Sequence, residues 1–337
     1  MVEHIHAASK TKWDVLVIGA GAAGLTAAIY TCRKKLSTLV ISVDIGGQTL
    51  LTQHIENYPG FFKETPDYPS GPKLMQIFEE QAKYFGAEVI MGKVTKIDII
   101  NGNPTPENPY KFALELSNGE RYEARVLLLT YGKVPRELGI PGEKKFIGRG
   151  VSTCATCDAP LFRNKNVAVI GGGNSALEAA ELLTKFANKI YLVHRRDAFR
   201  ADEITIDKVK ASPKVELVLN SVPTEIKGEK FVKGLVVQNV NTQETRELPV
   251  DGVFVEIGYI VVTDFVKDYV DLNKANEIIV NENCETKIPG LFSAGDLTTI
   301  PFKQTITSAG QGAIAGLAAY NYLMRMEGKA GVKADWT

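Results

Sequence analysis

The stretch WDVLVIGAGAAGLTAAIY, residues 13 to 30, decides the fold of the first part of this chain. The apolar residues 15 to 18 predict a buried strand, and the alanine-rich run that follows predicts a helix over about residues 22 to 33. Between them, Gly19, Gly21 and Gly24 have the spacing G-x-G-x-x-G. A tight turn, a close backbone approach to a pyrophosphate and a close helix-strand contact each favour glycine, so this pattern predicts a dinucleotide site.

The next predicted strand, STLVISVD, ends in Asp44, twenty residues after Gly24. A carboxylate at this position can accept hydrogen bonds from a ribose 2′-hydroxyl. The backbone N–H groups at the start of the helix, around Ala22 and Ala23, can donate to the phosphates. This first unit is therefore predicted to bind FAD or NAD.

The pattern returns 152 residues later, in NKNVAVIGGGNSALEAAELLTKF. Again an apolar strand precedes a glycine turn and a helix, which predicts a second dinucleotide site. The candidate contacts in this turn and the first part of the helix are Gly171, Gly173, Asn174, Ser175, Ala176 and Glu178. The sequence thus predicts an α/β fold with two Rossmann-like dinucleotide-binding domains.

The second copy differs from the first at the end of its next strand, where HRRDAFR replaces a single acid. This segment contributes His194, Arg195, Arg196 and Arg200. Guanidinium groups bind phosphate through charge-assisted, forked hydrogen bonds, so these residues suit a ribose 2′-phosphate. The second unit is therefore predicted to bind NADPH.

A third nucleotide-binding element lies near the C-terminus, in residues 287 to 323. A short predicted strand, residues 291 to 295, leads to Asp296, and a helix of small residues begins near Gln304. The acid can hold a ribityl hydroxyl, and the helix N-terminus can stabilise a reduced flavin ring. NAD needs neither, so the first nucleotide is predicted to be FAD.

This element implies a discontinuous first domain. The FAD-binding domain is predicted to comprise residues 1 to 132 and 262 to 337, with an NADPH-binding domain of residues 133 to 261 inserted between them. Turn-prone linkers, TYGKVPRELGIPG and EIGYIVVTD, flank the insert. Because the insert carries both the NADPH turn and a cysteine pair, we expect it to swing on these linkers and present each to the flavin in turn.

The segment VSTCATCDAP, residues 151 to 160, contains Cys154 and Cys157. The C-x-x-C spacing suits zinc, a static disulfide or redox exchange. Zinc would need two further ligands, and no second C-x-x-C is present, while a loop this short constrains the unfolded chain little. Redox exchange is favoured, with Asp158 placed to carry the proton that a thiolate gains or loses. No metal site is predicted.

The overall charge, the apolar segments and the other cysteines limit the classes of function that this chain can have. The 39 basic residues balance the 39 acidic residues, which argues against partners such as nucleic acid or an anionic membrane. The N-terminal residues lack an apolar segment, and the most apolar later run is interrupted by Glu256. Cys32 and Cys284 lie among apolar neighbours and are predicted to be buried free thiols. These features are typical of a cytoplasmic enzyme.

Together these motifs resemble the low-molecular-weight thioredoxin reductases of bacteria and archaea, over about residues 13 to 325. The motifs that carry the resemblance, in the order of the family, are Gly19 to Gly24, Gly46-Gly47-Gln48 with Glu56 to Gly60, Cys154 to Asp158, Gly171 to Ala176, His194 to Arg200, and Ala294-Gly295-Asp296 followed by Gln304. The family belongs to the class II pyridine nucleotide-disulfide oxidoreductases.

The resemblance implies FAD, NADPH and a homodimer, with Cys157 as the sulfur nearer the flavin and Cys154 as the sulfur that attacks the partner. It implies a flavin site built from Gly47, Gln48, Asn57, Asp296, Lys303, Gln304 and Thr305. Three features depart from the family pattern: Lys303 stands where arginine is common, Tyr131 replaces a small residue, and GYIVVTD lacks the usual proline-asparagine pair.

The predicted function is electron transfer from NADPH through FAD and the Cys154–Cys157 disulfide to thioredoxin or a glutaredoxin-like protein. A ferredoxin-type flavin reductase on the same scaffold would not need the cysteine pair, and a small-molecule dithiol oxidase would not need the arginine segment. A non-enzymatic NADPH sensor is the third alternative. Turnover of NADPH with a disulfide protein distinguishes a sensor from an enzyme.

Overall fold

The computed structural model describes residues 8–51, 55, 57–61, 70–105 and 107–332, without the side chains of Leu51 and Cys157. The chain divides into two compact units. Unit 1 runs to Lys133 and resumes at Val261, and unit 2 is Val134–Ile260. In the described ranges no helix has the length and apolar character needed to cross a membrane.

The strands in chain order are β1 (Lys12–Ala20), β2 (Thr38–Ile45), β3 (Glu88–Met91), β4 (Val94–Ile99), β5 (Phe112–Leu116), β6 (Arg121–Leu129), β7 (Val134–Pro135), β8 (Val151–Ser152), β9 (Asn166–Ile170), β10 (Lys189–Val193), β11 (Val215–Val218), β12 (Ser221–Gly228), β13 (Val232–Asn239), β14 (Thr245–Pro249), β15 (Gly252–Val255), β16 (Tyr259–Ile260) and β17 (Leu291–Ser293). The α-helices are α1 (Ala22–Arg33), α2 (Gly71–Tyr84), α3 (Glu143–Phe146), α4 (Ala155–Asp158), α5 (Asn174–Leu183), α6 (Glu203–Ala211) and α7 (Thr305–Met326). Two 3₁₀ turns cover Gly47–Leu51 and Ala159–Phe162.

Unit 1 is built on one sheet with the strand order β3-β2-β1-β6-β5-β4. The strands β3, β2, β1 and β6 are parallel, and β5 and β4 continue the sheet in antiparallel pairing. β17 pairs in parallel with the last part of β6, through Leu291 and Leu127. The chain therefore returns from unit 2 to the centre of this sheet, next to the strand that it left.

Helices α1 and α7 pack against each other on one face of this sheet. Their backbones approach so closely that a Cβ atom added to Gly312 would lie 2.1 Å from the carbonyl oxygen of Ala23. The alanines of α1, such as Ala27 and Ala28, are fully buried in the same cluster. Small residues in both helices allow this contact and fix the first turn of α1 relative to α7.

Unit 2 contains a fully parallel sheet with the strand order β11-β10-β9-β15-β8. One face packs on α5 through Leu177, Leu183 and Phe254, and the other face packs on residues of the antiparallel sheet β12-β13-β14. Because all five strands are parallel, their carboxyl ends lie at one edge of the sheet. The order reverses at β9, which is where ligands bind in sheets of this kind.

The first and last residues of unit 2 form a short antiparallel ribbon. Ile260 pairs with Val134 and Tyr259 with Pro135. The backbone N–H of Arg136 also donates to the carbonyl oxygen of Gly258, at 2.9 Å. The two linkers are therefore hydrogen-bonded to each other at the base of the unit.

Candidate functional site

The first glycine turn of unit 1 has two crowded glycines and one open one. Gly19 has φ +108°, and a Cβ atom there would lie 2.6 Å from the carbonyl oxygen of Thr130. A Cβ atom on Gly24 would lie 1.9 Å from the carbonyl oxygen of Gly19. At Gly21 the nearest atom would be 4.0 Å away. Gly19 and Gly24 are thus required by packing, whereas Gly21 leaves room for a ligand.

The segment after β2 closes over this turn. The backbone N–H of Gly46 donates to Ala20 O at 2.8 Å, and a Cβ atom on Gly47 would lie 3.7 Å from the Cα atom of Gly21. The Asp44 carboxylate accepts a hydrogen bond from the Gly47 N–H at 2.8 Å. The structure therefore brings Asp44 and Gly47 to the glycine turn, and their contacts with a nucleotide stay predictions.

The C-terminal element contributes a second side to the same region. Gly295 lies against the first turn of α1, where its added Cβ atom would be 3.1 Å from the Cβ atom of Ala23. Asp296 accepts a hydrogen bond from the Ser308 hydroxyl at 2.9 Å, and Gln311 accepts from the Gly295 N–H at 2.7 Å. Asp296 is thus oriented by the first turns of α7. Ser308 and Gln311 were absent from the sequence prediction.

Three further contacts involve predicted flavin residues, and one of them joins two of these residues. The Asn57 amide donates to the Gln304 side-chain oxygen at 3.0 Å, and the hydroxyls of Thr49 and Thr305 are 3.1 Å apart. The Gln48 amide donates to the carbonyl oxygen of Lys133 at 2.8 Å. Residues from four separate segments are therefore brought together in unit 1.

Lys303 belongs to an ion-pair network that the sequence did not predict. Glu277 accepts from Lys133 at 2.8 Å and pairs with Lys303 at 3.2 Å, while its second oxygen accepts from Asn273 at 2.8 Å. Lys303 also donates to the carbonyl oxygen of Thr298. Burial opposes the ionisation of Glu277, but hydrogen bonds from Lys133, Asn273 and Lys303 outweigh it and lower its pKa to about 2. The network carries two cations and one anion, so its net charge is positive.

Tyr131, the second departure from the family pattern, lies next to Thr130 at the end of β6. Its ring packs on Phe265 with a centroid distance of 5.2 Å, and burial raises the pKa of its hydroxyl. Among the residues that the structure describes, this hydroxyl is the buried side-chain polar atom without a hydrogen-bond partner. A buried hydroxyl of this kind is stabilised when a ligand supplies its partner.

These features fit FAD. The N-terminus of α1 has no side-chain cap, so its first N–H groups can donate to phosphate. Room exists at Gly21, and Gly47, whose N–H donates to the Asp44 carboxylate, lies beside it. The unpaired Tyr131 hydroxyl adds a polar atom that a bound group can satisfy.

The second glycine turn, in unit 2, follows β9. A Cβ atom on Gly171 would lie 2.3 Å from the carbonyl oxygen of Glu256, and one on Gly172 would lie 2.2 Å from the His194 ring. At Gly173 no atom lies within 4 Å. Gly172, which the sequence prediction omitted, is thus required for the approach of His194. Gly173 leaves room for a pyrophosphate, and the N-terminus of α5 has no side-chain cap.

The arginine segment is tied to this turn by its backbone. The Arg200 N–H donates to the carbonyl oxygen of Gly172 at 2.7 Å, and Asn174 accepts from the Asp202 N–H at 2.9 Å. Burial lowers the pKa of His194, and the charges of Arg195, Arg196 and Arg200 lower it further, against a hydrogen bond to the Ala198 carbonyl. The local potential is therefore positive. This arrangement fits a phosphate of NADPH.

The other predicted residues of α5 lie in its first turns. Ala176 is fully buried and packs toward Gly171, while Ser175 and Glu178 are exposed. The two exposed side chains are at the same edge of the sheet as the turn. Their contacts to a nucleotide stay predictions.

The cysteine segment follows β8 at this same edge. Cys154 is half-buried and disulfide-bonded, whereas Cys32 and Cys284 are buried free thiols, as predicted. The Ser152 hydroxyl accepts from the Cys154 N–H at 3.0 Å, and the Asp158 N–H donates to Cys154 O at 3.1 Å. Asp158 therefore lies one turn after Cys154, and its proton-carrying role stays a prediction.

The sequence prediction missed two acids that lie near these residues. Glu277 anchors Lys303, and Glu256 lies between Gly171 and α4. Glu256 did leave a signal, because it interrupts an apolar run directly after the residues that form β15. Over the described ranges, no group of three or more histidine, cysteine, aspartate and glutamate side chains could hold a metal ion.

Comparisons with known proteins agree with this arrangement. The family model for pyridine nucleotide-disulphide oxidoreductases matches residues 13–315. The thioredoxin reductase of Peptoclostridium acidaminophilum is 39% identical over 320 residues, which cover 92% of this chain and 97% of that protein. The bifunctional thioredoxin reductase/thioredoxin of Mycobacterium leprae is 40% identical over 332 residues, which cover 98% of this chain and 69% of that protein.

A solved structure shows the same similarity. Lactococcus lactis thioredoxin reductase superimposes with a TM-score of 0.78 at 36% identity, over 93% of this chain and 99% of that one. The predicted fold class, the predicted family resemblance and the prediction of an oxidoreductase are confirmed. Two nucleotide-type glycine turns, a disulfide-bonded Cys154 and these similarities lead to one conclusion: the chain belongs to the pyridine nucleotide-disulphide oxidoreductase family.

Proposed function

We propose that this chain is an NADPH- and FAD-dependent reductase of a protein disulfide, with thioredoxin as its partner. One observation carries the proposal. Three parallel strands of the unit 2 sheet, β8, β9 and β10, lead to the segment of Cys154, the glycine turn at Gly171 and the arginine segment at His194. The disulfide-bonded Cys154 and a glycine turn of the nucleotide type therefore share one sheet edge.

The relatives support thioredoxin as the partner. Proteins that match most of this chain at about 40% identity are named thioredoxin reductase. The relative from Mycobacterium leprae is named for both a reductase and a thioredoxin, so reductase and partner occur there in one protein. A glutaredoxin-like protein is the alternative candidate for this partner.

We assign FAD to unit 1 and NADPH to unit 2. The FAD residues are Gly19, Gly21, Ala22, Ala23, Gly24, Asp44, Gly47, Gln48, Asn57, Asp296, Lys303, Gln304 and Thr305. The NADPH residues are Gly171, Gly173, Asn174, Ser175, Ala176, Glu178, His194, Arg195, Arg196 and Arg200. When bound, FAD supplies the redox group that accepts a hydride from NADPH and delivers two electrons to a disulfide.

The residues of the chain bind and orient these groups. The N–H groups around Gly173 bind the pyrophosphate, and Arg195, Arg196 and Arg200 bind the 2′-phosphate. Asp44 and Asp296 accept hydrogen bonds from ribose and ribityl hydroxyls. The positive network around Lys303 stabilises negative charge in unit 1.

The cysteine chemistry follows from thiol–disulfide exchange. We propose that Cys157 is the disulfide partner of Cys154 and lies nearer the flavin. In the reduced pair, the Cys154 thiolate attacks the partner disulfide, forming one sulfur–sulfur bond and releasing one partner thiolate. The Cys157 thiolate then attacks Cys154, which restores the internal disulfide and releases the second partner thiolate. Asp158 accepts and donates the proton that these steps require.

A homodimer and a cytoplasmic location belong to the same proposal. The family resemblance supports the dimer, which sedimentation of the purified protein would measure. Movement of unit 2 on its two linkers, near Gly132 and Gly258, stays a prediction. Both glycines have positive φ, +65° and +92°, and an added Cβ atom would meet no neighbour within 4 Å at either position.

The test is a steady-state assay of the purified holoenzyme with NADPH, NADH, thioredoxin and a glutaredoxin-like protein. Cys154→Ser and Cys157→Ser should lose disulfide reduction yet keep NADPH-dependent bleaching of the flavin. Cys32→Ala is the matched control, because Cys32 is a buried free thiol, and it should keep both activities. Protein-disulfide turnover retained by either serine variant would overturn the mechanism. NADPH-dependent reduction of ferredoxin without disulfide turnover would favour the flavin-reductase alternative.

A further inference from the structure

Glu256 is a half-buried acid that the proposed reaction does not use. It directly follows β15, and its N–H donates to the carbonyl oxygen of Ile170 at 2.8 Å. Its own carbonyl oxygen lies 2.3 Å from the position of an added Cβ atom on Gly171. The backbone of Glu256 therefore lies directly beside the nucleotide turn.

The side chain of Glu256 reaches the cysteine segment. Its carboxylate accepts a hydrogen bond from the backbone N–H of Ala155, the residue that follows Cys154 in the C-x-x-C sequence. Phe254, two residues earlier in β15, packs in one cluster with Ala155 and Leu177. Because side chains alternate along a strand, Glu256 points to this same face, where α4 and α5 lie. Glu256 thus connects the nucleotide turn with the residue between the two cysteines.

The surroundings of Glu256 place its ionisation near neutral pH. Burial raises the pKa of Glu256 to about 7, the Ala155 hydrogen bond acts in the opposite direction, and the negative charge of Glu178 on α5 raises it further. Tyr259 on β16 also faces it, since burial and the charge of Glu256 both raise the pKa of Tyr259. The elements α4, α5 and β16 act on Glu256 through Ala155, Glu178 and Tyr259, respectively. The charge of Glu256 therefore changes near pH 7, where most carboxylic acids of proteins are already ionised.

We propose that Glu256 is a positioning residue for the Cys154–Cys157 pair. The Glu256 carboxylate holds the N–H of Ala155, and its negative charge, when present, disfavours the thiolate of the reduced pair. A like charge close to an ionising group favours the uncharged form of that group. The thiols of this enzyme should therefore gain reactivity with rising pH less steeply than thiols without such a neighbour. The proposal rests on the proposed function only in taking the cysteine pair as redox-active.

The test is the alkylation rate of Cys154 in the reduced holoenzyme. The protein is reduced with dithiothreitol, freed of the reductant and treated with iodoacetamide between pH 6 and pH 9, with Cys154 modification measured by peptide mass spectrometry. Glu256→Gln keeps an oxygen for the Ala155 N–H and removes the charge. We expect rates equal to those of the wild type at pH 6 and roughly three- to tenfold higher at pH 8, which corresponds to a thiol pKa lower by roughly 0.5 to 1.

Two variants serve as controls. Glu229→Gln makes the same change at an exposed position of unit 2 and should leave the rates unchanged at every pH. Glu256→Asp keeps the charge on a shorter side chain and should restore the slow rate at pH 8. A ratio between Glu256→Gln and wild type that does not vary with pH would overturn the proposal, as would an equal effect of Glu229→Gln.

A folding defect would not leave the question open. If Glu256→Gln does not fold, the profile of Cys154 in the Cys157→Ser variant decides, because without the second thiol the remaining coupling to Glu256 broadens the titration beyond a single inflection. A profile of this variant described by one inflection overturns the proposal. The alkylation assay uses neither NADPH nor thioredoxin, so a failure of the proposed function appears separately, in the turnover assay.

Discussion

Glu277 should stabilise unit 1 through its pairs with Lys133 and Lys303, and replacing it with glutamine tests this directly. Glu277→Gln keeps the size of the side chain and its hydrogen bond with Asn273 but removes the charge between two ammonium groups. The three charged side chains are 16%, 19% and 25% exposed, so water screens their attraction only in part. The variant should therefore lose more stability than a surface pair provides.

The pKa of Glu277 sets the size and the pH range of this effect. Its value of about 2, against the usual 4.5, corresponds to an upper bound of about 3 kcal/mol of folding free energy. Because the network keeps partial contact with water, we expect about 1.5 to 2 kcal/mol at pH 7. The folded-state pKa is depressed, so this stability is present above pH 4.5 and is lost as the pH falls toward 2.

The assay is urea unfolding followed by the fluorescence of buried Trp13 in unit 1, for both proteins at pH 7, 5 and 3.5. The stability difference should be the same at pH 7 and 5 and smaller at pH 3.5. Glu282→Gln, an exposed glutamate of the same unit, should change stability by less than about 0.5 kcal/mol. A Glu277→Gln variant as stable as the wild type at pH 7, or a difference that persists undiminished at pH 3.5, would refute the reasoning.

Three further predictions concern packing and cofactors. Gly312→Ala should cost about 1 to 3 kcal/mol of stability, because its Cβ atom would meet Ala23 O at 2.1 Å. Gly310→Ala on the same helix meets no atom within 4 Å and should stabilise the protein, so equal shifts of the two variants in thermal unfolding would contradict this prediction. Arg195→Ala should weaken the use of NADPH by roughly 10- to 150-fold in kcat/KM while leaving NADH almost unaffected, and equal losses with both nucleotides would exclude a 2′-phosphate contact. Tyr131→Phe should leave the stability of the FAD-free protein unchanged or higher, because its hydroxyl is unpaired, but should weaken FAD retention on dilution; unchanged retention would show that the hydroxyl does not serve the cofactor.

The local elements around the glycine turns could be predicted because short-range rules determine them. The predicted helix over residues 22 to 33 is confirmed as α1, and the helix expected near Gln304 begins at Thr305 with Gln304 as its cap. The strand predicted over residues 291 to 295 is shorter, Leu291–Ser293, since Gly295 has φ +92° and leaves the extended conformation. Apolar periodicity, caps and glycines act over a few residues, so each is visible in the sequence.

The contacts that complete the site depend on residues far apart in the chain. Lys133 and Glu277 are 144 residues apart, and Asn57 and Gln304 are 247 apart. No periodicity or spacing links such residues, and the pairing of β17 with β6 and the packing of α7 on α1 help to bring their segments together. A single charged residue near a strand end has many possible partners, so the sequence could mark Lys303 as a departure but could not name Glu277.

Glu256 shows how such a residue can still be recognised. An acid immediately after four buried residues of β15 opposes the hydrophobic pattern, and burying a carboxylate without partners is unfavourable. The sequence therefore indicates that something must compensate for it, but the nature of the compensation depends on the fold. Here the parallel order β9-β15-β8 places Glu256 between the nucleotide turn and the cysteine segment, and the compensation is the N–H of Ala155 together with a raised pKa. An interrupted apolar strand in a sheet of this kind is thus a reason to examine the carboxyl end of that strand for a residue that acts on the site.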